Sequence, residues 1–276
     1  MSQADYFVPD PYVTGAWLVR KDGADQSWID PTDPTRLEFD YMKRISWLIE
    51  TWADEHGYGE SGRLRVVHIG GAGMSLARWL AVTRPTSPQI VLEPDADLTE
   101  AVRAIAPLPS RSGIKVRPVD GRAGLAVMPD SYAQVVILDA FQNGQVPAEL
   151  IQPSAMTEIR RVLSDDGLLT INLVDSHPHA WARRVLATVM KEFTITCLIG
   201  EPSLMKSHRV TNLVVGASLK DFSVNQLARR AARAAFPCQV LADDELSRWL
   251  GGARPFSDAD AVSSPPRAEA DLRWFS

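Results

Sequence analysis

Leu64-Arg65-Val66-Val67-His68-Ile69-Gly70-Gly71-Ala72-Gly73-Met74 is the stretch on which the fold turns. A β-branched apolar run ends in three glycines within four positions, and from residue 75 to 82 the apolar spacing becomes helical. A strand that passes through small residues into a helix lets backbone approach a ligand and offers the free N–H groups of the helix start. Two glycines in a strand–helix turn are common, so a tight turn alone is the other reading of this loop.

The same alternation continues outward. Residues 89–93 and 114–119 read as strands, with a helix over 98–105 between them. Residues 133–138 hold the most apolar strand, Val135-Val136-Ile137-Leu138. A helix over 155–163 stops at Asp165-Asp166-Gly167, a strand follows over 168–172, and a helix over 179–193. Residues 194–200 and 212–216 read as a closing antiparallel pair. Near-continuous apolar strands alternating with helices predict an open α/β sheet covered on both faces. The fold expected is a Rossmann-like, seven-stranded methyltransferase-type sheet over residues 63–218. Ahead of it, residues 1–62 form a short hairpin, from the run at Ala16–Val19, and a helix opening at Asp33-Pro34-Thr35. Residues 219–252 hold C-terminal helices, and residues 253–276, around Ser263-Ser264-Pro265-Pro266, read as a flexible tail.

Composition bounds the function. The 276 residues are 45% apolar and 23% charged, an ordinary globular balance. With 29 basic against 34 acidic side chains, there is no positive excess to cover a phosphate backbone, so no nucleic-acid partner is expected. No apolar run reaches the roughly 20 residues of a membrane span, and Met1-Ser2-Gln3-Ala4-Asp5 does not open a signal peptide. The expected setting is cytoplasmic, with Cys197 and Cys238 as buried thiols. His177 and His179 stand two apart without a third ligand nearby in sequence, and no metal site is expected. His68, inside a strand, reads as core. No G-x-S-x-G elbow or Walker loop is present.

Acids close the strands. Glu93 lies 23 residues past Gly70 at a strand end, where a carboxylate accepts from a ribose diol. Asp120, followed by Gly121, either accepts from an adenine amino group or caps the next helix. Asp139 follows the most apolar strand directly and points into the crevice at the strands' carboxyl ends, or belongs to a turn. Together these positions read as a nucleoside-binding domain.

The order Gly-Gly-x-Gly, Glu, Asp-Gly-Arg, apolar strand, Asp resembles the class I S-adenosylmethionine-dependent transferases, and among them the spermidine synthases. Asp22-Gly23-Ala24-Asp25-Gln26 and Leu37-Glu38-Phe39-Asp40-Tyr41 match the family's D-G-x-x-Q and D-E-F-x-Y. Pro147-Ala148-Glu149-Leu150 and the run from Glu158 to Leu169 match two further motifs, so the resemblance spans residues 12–218. It implies aminopropyl transfer from decarboxylated S-adenosylmethionine to a small-molecule amine. Gln26, Gly70, Gly71, Gly73, Glu93, Asp120 and Gly121 would hold the nucleoside, Tyr41 would line the amine site, and Asp139 would take the proton of the attacking amine. The resemblance also implies a homodimer.

Three positions depart from the family. Gly73 stands where the family has the Asp that binds the aminopropyl ammonium. Gln142, after Phe141, stands where a second Asp grips the far amine of putrescine, and Met42 stands where the family has Gln. Alternatives are a methyltransferase using intact S-adenosylmethionine, and a non-catalytic nucleoside-binding scaffold.

Overall fold

A computed structural model describes residues 6–21, 23–59 and 61–266. An antiparallel sheet comes first: β1 (Phe7–Pro9), β2 (Trp17–Lys21) and β3 (Ala24–Ile29), in that order. Sequence reading expects one hairpin here; β1 is the addition, pairing Phe7 with Val19 and Pro9 with Trp17. Helix α1 (Asp40–Glu55) begins later than the expected start at Asp33. The cause is local. Asp30 Oδ1 accepts from the Thr32 and Asp33 amides, and Asp33 Oδ1 from the Thr35 amide, so side chains build turns where the helix was expected.

The main body alternates β4 (Val66–Ile69), α2 (Ser75–Thr83), β5 (Gln89–Leu92), α3 (Ala96–Ile105), β6 (Ile114–Arg117), α4 (Gly121–Ala126), β7 (Ala133–Leu138), α5 (Pro153–Val162), β8 (Leu163–Asp175), α6 (Ala180–Val189), β9 (Ile195–Gly200), α7 (Pro202–Met205), β10 (Thr211–Ser218), α8 (Val224–Ala232), β11 (Gln239–Ala242) and α9 (Asp243–Leu250). The strands form one mixed sheet in the order β11-β9-β10-β8-β7-β4-β5-β6. β8, β7, β4, β5 and β6 are parallel, and β10, β9 and β11 join antiparallel. This is the methyltransferase-type arrangement, with an eighth strand where seven were expected. β11 lies in the region read only as helices, and it covers the free edge of β9.

Strand alternation sorts the side chains between two faces. Val67, Ile69, Val136 and Leu138 pack against α5 and α6 through Met156, Ile159, Val162, Val185 and Leu186. Val66, Val135 and Ile137 pack against α1 through Ile45, Leu48, Ile49 and Trp52. Asp139, one step past Leu138, therefore shares the α1 face with Ile137.

Residues 253–266 correct the expectation of a flexible tail. They run along the body with Phe256 and Ser264 buried. The Trp181 indole donates to the Val262 carbonyl at 2.8 Å, and Arg184 lies over the Phe256 ring and pairs with Asp260. Residues 267–276, and Asp22 of the D-G-x-x-Q match, lie outside the described residues. Cys197 and Cys238 are buried free thiols. No helix among the described residues is long and apolar enough to cross a membrane.

Candidate active site

A cavity of about 470 Å³ opens at the carboxyl ends of β4, β5, β6 and β7, a volume suited to a nucleoside-sized ligand. Gly70 and Gly71 form its floor. Gly70 has φ +89°, a conformation L side chains rarely adopt, and a Cβ there would run into the Asp139 carbonyl. The loop after β4 thus lies close against the loop after β7.

Glu93 reaches across from the end of β5. Its Oε2 accepts from the Gly71 and Ala72 amides at 3.0 and 3.1 Å, and its Oε1 from the Asp95 amide at 3.0 Å. The parallel register Ile69↔Leu92 sets this up, because it places the residue after each strand side by side. Asp120 lines the cavity and caps α4, accepting from the Ala123 amide at 2.8 Å. Gly121 follows beneath it, packed against Ile69.

The N-terminal sheet leans over the same opening. Gln26, from β3, lines the cavity. Ser27 Oγ and Ser75 Oγ share a hydrogen bond of 2.8 Å, Ser75 donates to the Trp28 carbonyl, and Lys21 pairs with Asp95. Gly73 is not brought to the cavity. A Cβ there would meet Ser27 Oγ at 2.7 Å and Ile29 Cγ1 at 2.8 Å, so a larger residue at this position requires those buried side chains to shift.

Asp139 is the centre of the arrangement. Its Oδ2 accepts from the Tyr41 hydroxyl at 3.1 Å and its Oδ1 from Asn172 Nδ2 at 2.9 Å. Asn172 is fully buried, and its own Oδ1 accepts from Asn212 Nδ2 at 2.9 Å. Desolvation pushes the Asp139 carboxyl up to about 6, although the bonds from Asn172 and Tyr41 pull the other way. A carboxylate in that range sits near the ideal for exchanging protons at neutral pH. Sequence reading found Asp139 and Tyr41 and missed Asn172. The signal was there: one amide side chain in a run, 168–174, whose other members are apolar except for Thr170. The register Leu138↔Ile171 puts it level with Asp139.

Met42, Phe141, Gln142 and Asn143 line the far side, with Glu149 and Leu150 from a single 3-10 turn, Ala148–Leu150. Asn143 and Gly144 have φ of 51° and 74°, and Gln142 and Gln145 exchange backbone bonds of 2.8 and 3.0 Å. This is the tight turn that an Asn-Gly pair favours, and it fixes Gln142 at the rim. Five acids line the cavity, Glu93, Asp95, Asp120, Asp139 and Glu149, against one lysine, Lys21. The charge suits a cationic ligand.

Two of the histidines are buried and hydrogen-bonded. His68 is buried, pushed down to about 4 by desolvation, and bonded through Nε2 to Gln89 Oε1 at 2.8 Å. His179 is buried with Nε2 against the Met205 carbonyl at 2.9 Å, and His177 packs edge-on to His208. Among the described residues, no group of three His, Cys, Asp or Glu is placed to hold a metal.

The fold is of the class I methyltransferase type, with an acid-lined cavity at the carboxyl ends of its parallel strands. Within that class the likeness is to spermidine synthases. A probable spermidine synthase from Corynebacterium glutamicum is 26% identical, with 91% of each chain covered and a TM-score of 0.84. The spermidine synthase of Thermotoga maritima is 14% identical over 92% of this chain and 81% of that one, with a TM-score of 0.56. Human methyltransferase-like protein 13, solved with S-adenosylhomocysteine, is 17% identical over 80% of this chain and 95% of that one, with a TM-score of 0.53. These neighbours are transferases. No family model and no curated protein sequence matches the chain.

Proposed function

We propose that this chain is a spermidine synthase-like transferase that moves an aminopropyl group from decarboxylated S-adenosylmethionine to an amine. The observation that supports this reading most is Asp139: a carboxylate poised near neutrality, held by Tyr41 and Asn172 at the edge of an acid-lined nucleoside-sized cavity. An alkylammonium has no free lone pair. As its nitrogen attacks the carbon beside the sulfonium, the C–S bond breaks toward sulfur and the released proton passes to Asp139. The sulfonium is already activated, so the site's contribution is to bring two cations together against carboxylates. Glu93 and Gln26, which both line the cavity, hold the nucleoside, with Asp120 beside the base.

The acceptor side differs from that of a diamine enzyme. Gln142 carries no charge, and Phe141 and Met42 make the wall more apolar. A second ammonium there would meet no carboxylate from these three residues, and Glu149 on the same side is exposed, where its pull is screened by solvent. The acceptor is therefore an amine with one cationic end and an uncharged remainder. The test is to incubate the protein with decarboxylated S-adenosylmethionine and a panel of monoamines, diamines and triamines, and to measure methylthioadenosine. Its absence with every amine refutes aminopropyl transfer.

Gly73 favours a second reading, methyl transfer from intact S-adenosylmethionine. Position 73 holds glycine, tightly packed by Ser27 and Ile29, and α2 opens with no acidic residue in its first turn and no side-chain cap. A cofactor carboxylate would meet no opposing charge from this segment. Calorimetry with intact and decarboxylated cofactor separates the two readings, since preference for the decarboxylated form removes the second.

A further inference from the structure

One wall of the cavity depends on residues far along the chain. Residues 139–152 join β7 to α5, and their only regular element is the 3-10 turn Ala148–Leu150. Phe141, Gln142, Asn143, Gly144, Pro147 and Glu149 from this loop line the cavity. Beyond the Gln142–Gln145 pair, much of the loop's polar backbone is satisfied from residues 263–264. The Ser264 amide donates to the Val146 carbonyl at 3.1 Å, and Ser264 Oγ accepts from the Val146 amide at 2.9 Å. Gln145 Nε2 donates to the Ser264 carbonyl. Ser263 Oγ accepts from the Ala148 amide at 3.2 Å, next to Glu149. Val146 and Ser264 are both fully buried, so no water stands ready to replace these partners.

We propose that Ser263 and Ser264 are positioning residues of the binding site. They clamp the loop so that its cavity-lining side chains are set before a ligand arrives. The clamp lowers the ordering cost that the loop would otherwise charge against binding. The rest of the segment supplies the anchorage: Phe256 is buried beneath Arg184, and Asp258 Oδ1 accepts from the Ser154 amide at 3.1 Å where α5 begins. The proposal rests on reading the cavity as a nucleoside site.

The test uses the full chain with Ser263→Ala, Ser264→Ala and both together. Calorimetry with methylthioadenosine reads the site, hydrogen exchange over 142–150 reads the loop, and thermal melting reads the body. The expected result is a rise of about tenfold in Kd for the double variant, because the buried Val146 amide and the more exposed Ala148 amide both lose their acceptors and the loop loosens. Exchange over 142–150 quickens while β4 and β7 keep their protection. A lower melting temperature with Kd within twofold and exchange unchanged overturns the proposal, since that is what mere structural support gives. If Ser264→Ala does not fold, Ser263→Ala decides alone, its hydroxyl being on an exposed residue: weaker binding supports the clamp, unchanged binding overturns it. If the native chain does not bind methylthioadenosine, the nucleoside reading falls, and exchange alone then decides whether the loop is held.

Discussion

Replacing Asp139 by Asn should make the protein more stable at neutral pH while abolishing transfer. Burial raises this carboxyl from 3.8 to about 6. Each pKa unit is worth about 1.4 kcal/mol, so ionised Asp139 costs the fold up to about 3 kcal/mol above pH 6. That figure is an upper limit, because the side chain faces a cavity that water can enter. The folded state binds the proton more tightly than the unfolded state. Below pH 4 both are protonated and the cost is absent; it grows between 4 and 6 and is complete above. Asparagine is isosteric, can accept from Asn172, and can donate to the Tyr41 oxygen, so both bonds survive. Thermal melts of native protein and Asp139→Asn at pH 4 and pH 8 provide the assay. At about 2–4 °C per kcal/mol for chains near this size, the variant should melt several degrees higher at pH 8 and level with the native protein at pH 4. Equal melting at both pH values, or a variant that is weaker at pH 8, would refute the account of Asp139 as a costly buried acid.

Removing a donor to Asp139 should push its carboxyl further up. Tyr41→Phe or Asn172→Leu should therefore move the acidic limb of the pH–rate profile, or of an NMR titration of Asp139, to higher pH. Gly70→Ala should lose nucleoside binding and melt earlier by more than about 1 kcal/mol, since φ +89° and the adjacent Asp139 carbonyl both exclude a Cβ, with calorimetry and melting as the checks. Gln142→Asp should tighten putrescine binding by restoring a charge at the rim. Competition against a monoamine measures it, and unchanged affinity places the acceptor's second end elsewhere.

The α/β alternation was legible because β4, β5 and β7 are apolar on both faces and end in glycine or acid, a pattern imposed by burial beneath helices. Asp139 was legible for the same reason, as a charge directly after four apolar residues. Asn172 stands out in its strand as an amide, but its role was not legible, because nothing local shows that β8 lies next to β7, and the role comes from that register. β11 was missed because four residues between two helical stretches carry too short a period to detect. The expected helix start at Asp33 failed because Asp30 and Asp33 spend their carboxylates on turns. Residues 253–266 have no period; their order comes from partners more than sixty residues away, such as Thr188 Oγ1 on the Phe256 amide.

The clamp also bears on the order in which the molecule is made. Val146 and Ser264 are 118 residues apart, and every strand of the sheet is synthesised before the serine that closes the loop. Contacts of such separation form late, after the loop between them has been drawn in. As the chain folds, the sheet can therefore be complete while its ligand pocket still gapes. A chain cut short before Phe256 would stay in that half-finished condition, folded but with one wall loose.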